Sequence, residues 1–341
     1  MRFESIHRET LLLNPLKGMA PRTIASEIRR DPLTGRSARI CHFMKLSWPK
    51  PDFEKLVAGT DQGCPFCPQK IHQVTPCFPE DIISEGRLTS GDMVLFPNLA
   101  PYDSLSAVAV MGKEHYLPMT AIETRRMADG FGLCQDFFGH LEKIGHPESV
   151  YHLINWNYMP PSGSSIIHPH LQVFATSFAP NLMRQELKAS KAYKERTGSN
   201  YWDDLVAAEE SEGLRFLGRL GRTSWLSAYA PMGVAGDVVA VVDGSCRTLD
   251  LSPQDLGDLA GGLKRVMAAY DRMGIYSFNM NFFAGRADDE HTRFHLVFSP
   301  RTFFNQVLAT PDVGALRNLF NESLCMAYPE EINTLLKAEF D

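Results

Sequence analysis

Two histidines separated by a single residue are the part of this sequence best suited to chemistry. They lie in the segment SGSSIIHPHLQ, which runs from Ser162 to Gln172. Alternate residues of a β-strand share one face, so His168, His170 and Gln172 would form a polar row where a core strand has apolar side chains. The serines before them can bring N–H groups and hydroxyls close to an anion. A bare His-x-His pair is more often structural, but these neighbours favour nucleophilic attack on phosphorus by a neutral imidazole.

A close pair of cysteines, Cys64 and Cys67, is the second chemical feature. Two thiolates at this spacing suit a tetrahedral zinc ion, but they supply only half of its ligands. The seven cysteines include no second pair of this kind, so histidines must complete the site. Spacing alone does not choose among the candidates, and two free cysteines remain the alternative. The candidate histidines are His72, His115, His140, His146 and His168.

The composition is that of a globular protein. The chain has 341 residues, of which 44% are hydrophobic, and 34 basic against 40 acidic residues give a formal charge of −6. This mildly acidic balance without a basic run argues against a general nucleic-acid binder or a binder of anionic membranes. No apolar run has the 18 or so residues of a membrane span, and the N-terminus lacks a secretory pattern. The odd, sparse cysteine set favours a reducing, cytoplasmic location.

The elements that must position these residues occur in the order strand, helix, strand, strand, and this order appears twice. The first helix is predicted to begin at a capping box, Thr120–Glu123, and to end before Gly145; the second begins at Ser252 and ends before Gly274. Further helices are predicted at 182–196 and 202–212, whereas residues 1–50 read as irregular. Strands are predicted at 93–96, 105–111, 150–157 and 168–176, and again at 238–242, 276–283 and 294–299.

This repeat predicts the α+β class, as a duplicated unit with mainly antiparallel sheets flanked by helices. The expected N-terminal domain, 1–198, carries the cysteine pair and the HPHxQ pattern. The expected C-terminal domain, 199–341, is a degenerate copy, in which Arg293-Phe-His295 takes the place of His168-Pro-His170.

Several segments, in order over nearly the whole chain, resemble the galactose-1-phosphate uridylyltransferase family. This family is a branch of the histidine-triad superfamily and also contains ADP-glucose phosphorylase-like proteins. The resemblance implies a duplicated histidine-triad-like fold. Asn157 stands 11 residues before His168, as the family's asparagine does. The other matching segments are RRDPLTG at 29–35, CPFC at 64–67, FPN at 96–98, VAVMGKEH at 108–115 and HPHLQ at 168–172.

Carried over to this sequence, the resemblance implies one structural zinc ion per chain and a nucleophile at His170. The implied zinc ligands are Cys64, Cys67, His115 and His168. Further implied residues hold the substrate: Arg29 and Arg30 contact diphosphate oxygens, Asn98 contacts the nucleoside, and Glu322 contacts the sugar. The reacting phosphate would be held by Asn157, Ser164, Ser165 and Gln172. The resemblance also implies a homodimer.

The sequence departs from the family pattern in two places. Some family members have a second metal site, for which Glu186 and His295 fit, but Arg293 and Asn281 stand where histidines are expected. A cationic Arg293 disfavours a divalent ion, so this site is expected to be empty; an ion pair between Glu186 and Arg293, or substitution by His291, are the alternatives. At the C-terminus, Asn321-Glu322 lacks the family's tyrosine, and the segment 328–337 is more similar to the phosphorylase-like branch.

The sequence therefore predicts a nucleotidyltransferase that works through a covalent nucleotidyl-histidine. The default substrates that the resemblance implies are UDP-glucose and galactose 1-phosphate. One alternative is a phosphorylase of nucleoside diphosphate sugars or dinucleoside polyphosphates, in which inorganic phosphate is the acceptor. An alternative of another class is a zinc-stabilised nucleotide-binding protein with little turnover.

Overall fold

A computed structural model describes residues 1–42 and 46–341 of the chain. The described strands are β1 (Glu4–Asn14), β2 (Ala20–Arg30), β3 (Ser37–Cys41), β4 (Leu88–Ser90), β5 (Met93–Pro97), β6 (Leu105–Val110), β7 (Tyr151–Tyr158), β8 (His170–Thr176), β9 (Phe216–Leu220), β10 (Thr223–Ser227), β11 (Val238–Val242), β12 (Ser277–Phe283), β13 (His295–Arg301), β14 (Phe303–Asn305), β15 (Thr310–Pro311) and β16 (Ser323–Cys325).

Helices are interspersed among these strands, so the molecule is of the α+β class. None of the helices in the described part of the chain is long and apolar enough to cross a membrane. The described helices are α1 (Phe53–Val57), α2 (Ile71–Val74), α3 (Thr124–Lys143), α4 (Asn181–Thr197), α5 (Tyr201–Glu212), α6 (Pro253–Arg272), α7 (Ala315–Phe320) and α8 (Pro329–Lys337).

One large antiparallel sheet contains both copies of the predicted repeat. Its strand order is β4-β5-β6-β8-β7-β12-β13-β11-β10-β9. The first copy, β6-β8-β7, meets the second, β12-β13-β11, in mirrored order, and the two join through the antiparallel pair β7–β12. At the centre, Asn155 of β7 pairs with Asn281 of β12. On its other side Asn155 pairs with Gln172 of β8, and Asn281 pairs with Val297 at the corresponding position of β13. The predicted duplication is therefore present in the topology. The boundary expected at residue 198 falls between α4 and α5, and both halves contribute to the one sheet.

The two faces of this sheet differ in character. Helices α3 and α6 pack on one face, where alternate strand residues such as Leu171, Val173 and Ile154 are fully buried. The intervening residues, including His170 and Gln172, therefore point to the opposite face. We call this second face the open face; it carries the polar residues of β7, β8, β12 and β13.

Most of residues 4–41, which were predicted to be irregular, form strands instead. Strands β1 and β2 form a hairpin in which Glu4 pairs with Arg30 and Asn14 with Ala20, and a second sheet has the order β1-β2-β3-β16. Most of the hairpin is exposed, so its sequence lacks the apolar alternation that would reveal a half-buried strand. The part of that prediction at 43–45 lies outside the described residues.

The two predicted helix starts had different outcomes. Ser252 caps α6 as predicted: its side chain accepts from the N–H of Asp255, whose carboxylate accepts in return. The capping box at Thr120 is wrong, because residues 119–121 form a separate 3₁₀ turn and α3 begins only at Thr124. Glu123 is the N-cap of α3, and its side chain makes no capping hydrogen bond.

Candidate functional site

The four side chains expected to bind zinc converge on one point. Cys64 and Cys67 lie on a loop before α2, His115 follows β6, and His168 immediately precedes β8. Their ligand atoms all lie within 4.8 Å of one another. The Sγ atom of Cys67 is 3.4 Å from Nδ1 of His115 and 3.8 Å from Nδ1 of His168.

The surroundings of this cluster fit a tetrahedral metal ion. Each histidine turns Nδ1 towards the thiols, while its other nitrogen is held elsewhere: Nε2 of His168 by the carbonyl of Gly112 at 2.9 Å, and Nε2 of His115 by the Thr60 hydroxyl at 2.8 Å. Such outer partners orient metal-binding imidazoles. Burial lowers the pKa of His168 to about 4, so its ring is neutral, as a ligand must be. Four protein donors leave no open position, which is typical of a structural site.

His170 is held with one ring nitrogen free. Its Nδ1 lies 2.8 Å from the carbonyl oxygen of His168, to which it donates a hydrogen bond. That bond fixes the tautomer, so Nε2 keeps an unshared electron pair. Burial also lowers the pKa of His170, which favours the neutral ring. Because the carbonyl belongs to His168, this hydrogen bond links the ring of His170 directly to the backbone of the proposed metal ligand.

The zinc loop also contacts His170 from the side. Phe66, between the two cysteines, packs edge-on against the ring of His170 with 5.1 Å between centroids, and it packs against Phe96 of β5 as well. Metal binding would therefore fix the side of His170 that faces Phe66. The role of Phe66 could not be assigned from sequence, where it is only one of 21 phenylalanines.

A relay of amide groups orients Gln172. Arg301 donates to Oδ1 of Asn279 at 2.5 Å, Asn279 donates to Oδ1 of Asn157 at 2.6 Å, and Asn157 donates to Oε1 of Gln172 at 3.5 Å. A guanidinium group can only donate, so it sets the direction of every amide after it. The relay leaves the Nε2 amide donors of Gln172 available to a phosphate oxygen. Asp312 fixes the start of the relay by accepting from Arg301 at 2.6 Å.

Asn279 and Arg301 were missed by sequence reasoning. Asn279 also donates to the carbonyl of Ser162 at 3.0 Å, so it ties the serine-rich loop to the second half of the sheet. It faces Asn157 directly in the β7–β12 ladder. No sequence pattern marks this contact, because it depends on the register of two strands that are more than 100 residues apart.

The remaining residues expected to hold the substrate lie in different environments. Ser165 is exposed, whereas the Ser164 hydroxyl donates to the carbonyl of Ile166 at 2.8 Å. Asn98 follows β5, and its side-chain oxygen accepts from the N–H of Ala100 at 3.1 Å. Of the two serines, Ser165 is the one whose hydroxyl makes no hydrogen bond within the described residues.

Arg29, one of the two arginines expected to contact diphosphate oxygens, is buried and paired with carboxylates. Its side chain is only 6% exposed, and it binds the carboxylates of Glu27 and Glu330, the latter through two bonds of 2.9 and 3.0 Å. It also lies over the ring of Tyr229. The donors of Arg29 thus join β2 to α8, and its contact with diphosphate oxygens stays a prediction. Arg30, the next residue of β2, is exposed.

In the second copy, His295 makes the same hydrogen bond to the backbone as His170 does in the first, but its ring has different surroundings. Nδ1 of His295 lies 3.1 Å from the carbonyl of Arg293, as in the first copy. Its ring, however, is stacked between Trp202 and Phe283, and its Nε2 faces Oε2 of Glu186 at 3.5 Å.

The alternative ion pair between Glu186 and Arg293 is not formed. The guanidinium of Arg293 instead binds Asp203 on α5, with Nη2 at 2.7 Å and Nε at 3.0 Å from its two oxygens. His291 lies 3.9 Å from Asp289. Arg293 is therefore held by Asp203 of α5 rather than by Glu186.

A cavity of about 500 Å³ opens on the second half of the open face. Asn279 and Arg301 of the relay form part of its wall, and so does Glu322. The carboxylate of Glu322 is engaged, with Ser37 at 2.7 Å and Arg39 at 3.0 Å. The cavity is thus lined in part by β12, the strand that pairs with β7, and it is large enough for a small-molecule substrate.

Comparison with known sequences finds a relative of similar length. No family model matches the chain. A protein of Archaeoglobus fulgidus, described as an uncharacterized protein, is 32% identical over 309 residues, which covers 89% of this chain and 89% of that protein.

Comparison with solved structures identifies the fold. A galT-like protein from Arabidopsis thaliana has a TM-score of 0.69 at 17% identity and covers 91% of this chain and 98% of its own. An ADP-glucose phosphorylase from Arabidopsis thaliana with bound ADP-glucose has a TM-score of 0.68 at 17% identity, covering 92% and 98%. A uridylyltransferase has a TM-score of 0.65 at 19% identity, with the same coverage. The chain therefore belongs to one family with the Archaeoglobus fulgidus protein and has the uridylyltransferase fold, shared with ADP-glucose phosphorylase, that the sequence resemblance predicted.

Proposed function

We propose that this protein is a nucleotidyltransferase in which His170 carries the nucleotide. The observation that supports this best is the hydrogen bond from Nδ1 of His170 to the carbonyl of His168, which leaves Nε2 unprotonated and buried beside a row of amide donors. A fixed, neutral imidazole next to a phosphate-binding surface is the arrangement that nucleophilic catalysis at phosphorus requires.

The reaction would proceed in two displacements. In the first, Nε2 of His170 attacks the α-phosphorus of a nucleoside diphosphate sugar, an N–P bond forms, and the P–O bond to the sugar 1-phosphate breaks. The Nδ1–H group stays on the carbonyl of His168, which stabilises the positive charge of the substituted ring. In the second, an oxygen of the acceptor phosphate attacks the same phosphorus, and the N–P bond breaks. Amide N–H groups of Gln172 and the Ser165 hydroxyl would stabilise the charge on the non-bridging oxygens.

The metal supplies no step in this scheme. We propose zinc as the ion held by Cys64, Cys67, His115 and His168, because two thiolates and two neutral imidazoles are its typical structural ligands. Burial and the nearby Cys64 raise the pKa of Cys67 to about 11, so a bound cation is needed to hold the Cys67 sulfur as a thiolate. Thiols that must stay reduced also support the expected cytoplasmic location.

The acceptor separates the two enzymatic candidates. Transfer to a sugar 1-phosphate, with UDP-glucose and galactose 1-phosphate as the default pair, and phosphorolysis by inorganic phosphate share the first displacement. The similarity to uridylyltransferase and ADP-glucose phosphorylase structures supports the shared chemistry through the fold alone. We propose the sugar 1-phosphate as acceptor and inorganic phosphate as the alternative.

The test is the exchange of label between nucleoside diphosphate sugars and sugar 1-phosphates. His170→Ala should abolish exchange by many orders of magnitude while substrate binding persists. His295→Ala is the matched control, because it removes the second histidine with the same backbone bond and should leave exchange intact. Near-normal exchange by His170→Ala would contradict the proposal and favour the nucleotide-binding alternative.

A further inference from the structure

The wall of the cavity on the open face includes a guanidinium group that no carboxylate of the same wall pairs with. Two of the nearby arginines are paired: Arg301 binds Asp312 at 2.6 Å, and Arg39 binds Glu322 at 3.0 Å. Arg317, which lines the cavity, has no carboxylate within 4.0 Å among residues 1–42 and 46–341. A cationic side chain in a cavity wall without an ion-pair partner is unusual, since desolvation disfavours it.

A second guanidinium, that of Arg36, lies directly beside Arg317 and has no carboxylate partner in the described part of the chain. Arg36 lines an adjoining cavity, which shares Met232 with the first. Nη1 of Arg317 and Nη1 of Arg36 both donate to the hydroxyl oxygen of Ser323, each at 3.0 Å. Their remaining contacts are weak or neutral: the Met232 sulfur at 3.6 Å for Arg317 and the Ala230 carbonyl at 2.6 Å for Arg36. Two like charges thus converge on one uncharged oxygen.

The surrounding charges do not relieve this repulsion. Burial, then Arg36 and Arg301, lower the pKa of Arg317, and Asp237 is the carboxylate that opposes them. The carboxylate of Asp237 is already engaged with backbone N–H groups, including that of Met232 at 2.5 Å. A bound dianion would supply the missing countercharge and accept from the free N–H groups of both arginines.

The cavity is placed to receive the part of the substrate that does not stay on His170. Its wall includes Asn279, which donates directly to Asn157 on the neighbouring strand. Adjacent strands are about 4.8 Å apart, so the cavity begins one strand beyond the residues beside the reacting phosphorus. The guanidinium of Arg29 is bound to Glu330, whereas those of Arg36 and Arg317 form no ion pair within residues 1–42 and 46–341.

We propose that Arg317, with Arg36 beside it, binds a phosphate dianion in this cavity: the phosphate of the sugar 1-phosphate or inorganic phosphate that exchanges with the nucleotide on His170. This inference rests on the proposed function. It assigns acceptor binding to the second half of the chain, whereas the covalent step belongs to the first.

The test attaches the nucleotide to His170 by a route that needs no phosphate bound in the cavity. A nucleoside 5′-phosphoimidazolide transfers its nucleotide to Nε2 of His170 and releases imidazole, so loading needs no second phosphate. Arg317→Gln should load like the wild type. When the loaded protein is then chased with glucose 1-phosphate or with inorganic phosphate, the half-saturating concentration of the true acceptor should rise at least tenfold in the variant. The acceptor that discharges the wild-type protein in a saturable way identifies the source of the phosphate.

Two further variants keep the result specific. Arg317→Lys should give an intermediate half-saturating concentration, because it keeps the positive charge but loses the planar guanidinium that can bind two phosphate oxygens at once. Arg196→Gln, which removes an exposed arginine of α4, should chase like the wild type. The melting temperature of Arg317→Gln should not fall, because the side chain has no ion pair to lose, and glucose 1-phosphate or phosphate should raise the melting temperature of the wild type more than that of the variant.

The outcomes separate the two proposals. A wild-type protein that cannot be loaded at His170 contradicts the proposed function. Normal loading of Arg317→Gln followed by an unchanged half-saturating concentration for both acceptors leaves the proposed function standing and overturns the phosphate site. A lower melting temperature with unchanged chase kinetics would show that Arg317 is structural, and this result also overturns the site.

Discussion

At the scale of single residues, the candidate site depends on hydrogen bonds that fix direction. His170 is neutral at Nε2 because Nδ1 donates to a backbone carbonyl, and Gln172 presents its N–H groups because Arg301 starts a one-way series of donors. The histidines and Gln172 could be predicted from the sequence, since their spacing places them on one face of a strand. Asn279 and Arg301 could not, because only strand register brings them to Asn157.

The relay gives a prediction at this scale. Asn279→Asp replaces a donor by an acceptor, so it faces Oδ1 of Asn157 with a like partial charge, and Gln172 loses its fixed orientation. We expect the rate of nucleotide labelling of His170 to fall roughly 10- to 100-fold, as for other residues that orient a reacting group through an intermediate. Asn305→Asp, at an exposed asparagine of β14, is the control and should leave the rate unchanged. Equal labelling rates in both variants would contradict the relay.

At the scale of elements, the cysteine loop and the β8 strand act together. The four proposed ligands come from separate segments of the first half, so a bound ion ties the loop, the end of β6 and the start of β8 to one another. The motif predicted the ligand types, and the resemblance chose among the histidines. Phe66 was beyond such reasoning, because its contact with His170 follows from the folded shape of the loop.

Removing one ligand should therefore destabilise the first half of the protein. Cys64→Ser should lower the free energy of unfolding by several kcal/mol, because metal binding contributes directly to folding. Cys77→Ser is the control, as Cys77 is exposed and lies outside the ligand cluster. Elemental analysis should find one zinc ion per chain in the wild type and in Cys77→Ser. Zinc-free wild-type protein of full stability, or two equivalents of zinc, would contradict the assignment.

Helix α6 offers a prediction about pH. Hydrogen bonds from Arg222, followed by those from Ser252, lower the pKa of Asp255 to about 2 from an ordinary value of 3.8. A carboxyl group with a depressed pKa stabilises the folded state above the unfolded pKa, and this contribution is lost as the pH falls from about 4 towards 2. It amounts to about 2 kcal/mol.

Denaturant unfolding of Asp255→Asn provides the measurement. The free-energy difference between wild type and variant should be near its full size at pH 6 and should shrink as the pH approaches 2.5. A difference that stays constant over this range would show that the loss comes from packing rather than from the charge of Asp255.

At the scale of the whole molecule, the duplication is the property that the sequence predicted best. The repeated order of strand, helix, strand and strand follows from apolar runs and helix boundaries, and the sheet shows both copies. The β1–β2 hairpin was not predictable, because its residues are too exposed to show a burial pattern. Exposed apolar residues at its tip and in the C-terminal segment support the proposed homodimer, which light scattering would test; these residues are Leu11, Leu13, Leu16, Met19, Val307, Leu308, Leu319 and Phe320.

Because the unit is duplicated, the proposed mechanism depends on which copy carries the nucleotide. Both copies have a histidine with the same backbone hydrogen bond, but His295 is enclosed by aromatic rings and faces Glu186. The most direct measurement is to quench the wild-type protein after reaction with a nucleoside diphosphate sugar and to map the modified peptide by mass spectrometry. We expect one nucleotide per chain, on the peptide that contains His170, held by a bond that is labile in acid and stable in base. A nucleotide on His295, two nucleotides per chain, or turnover without any covalent adduct would contradict it.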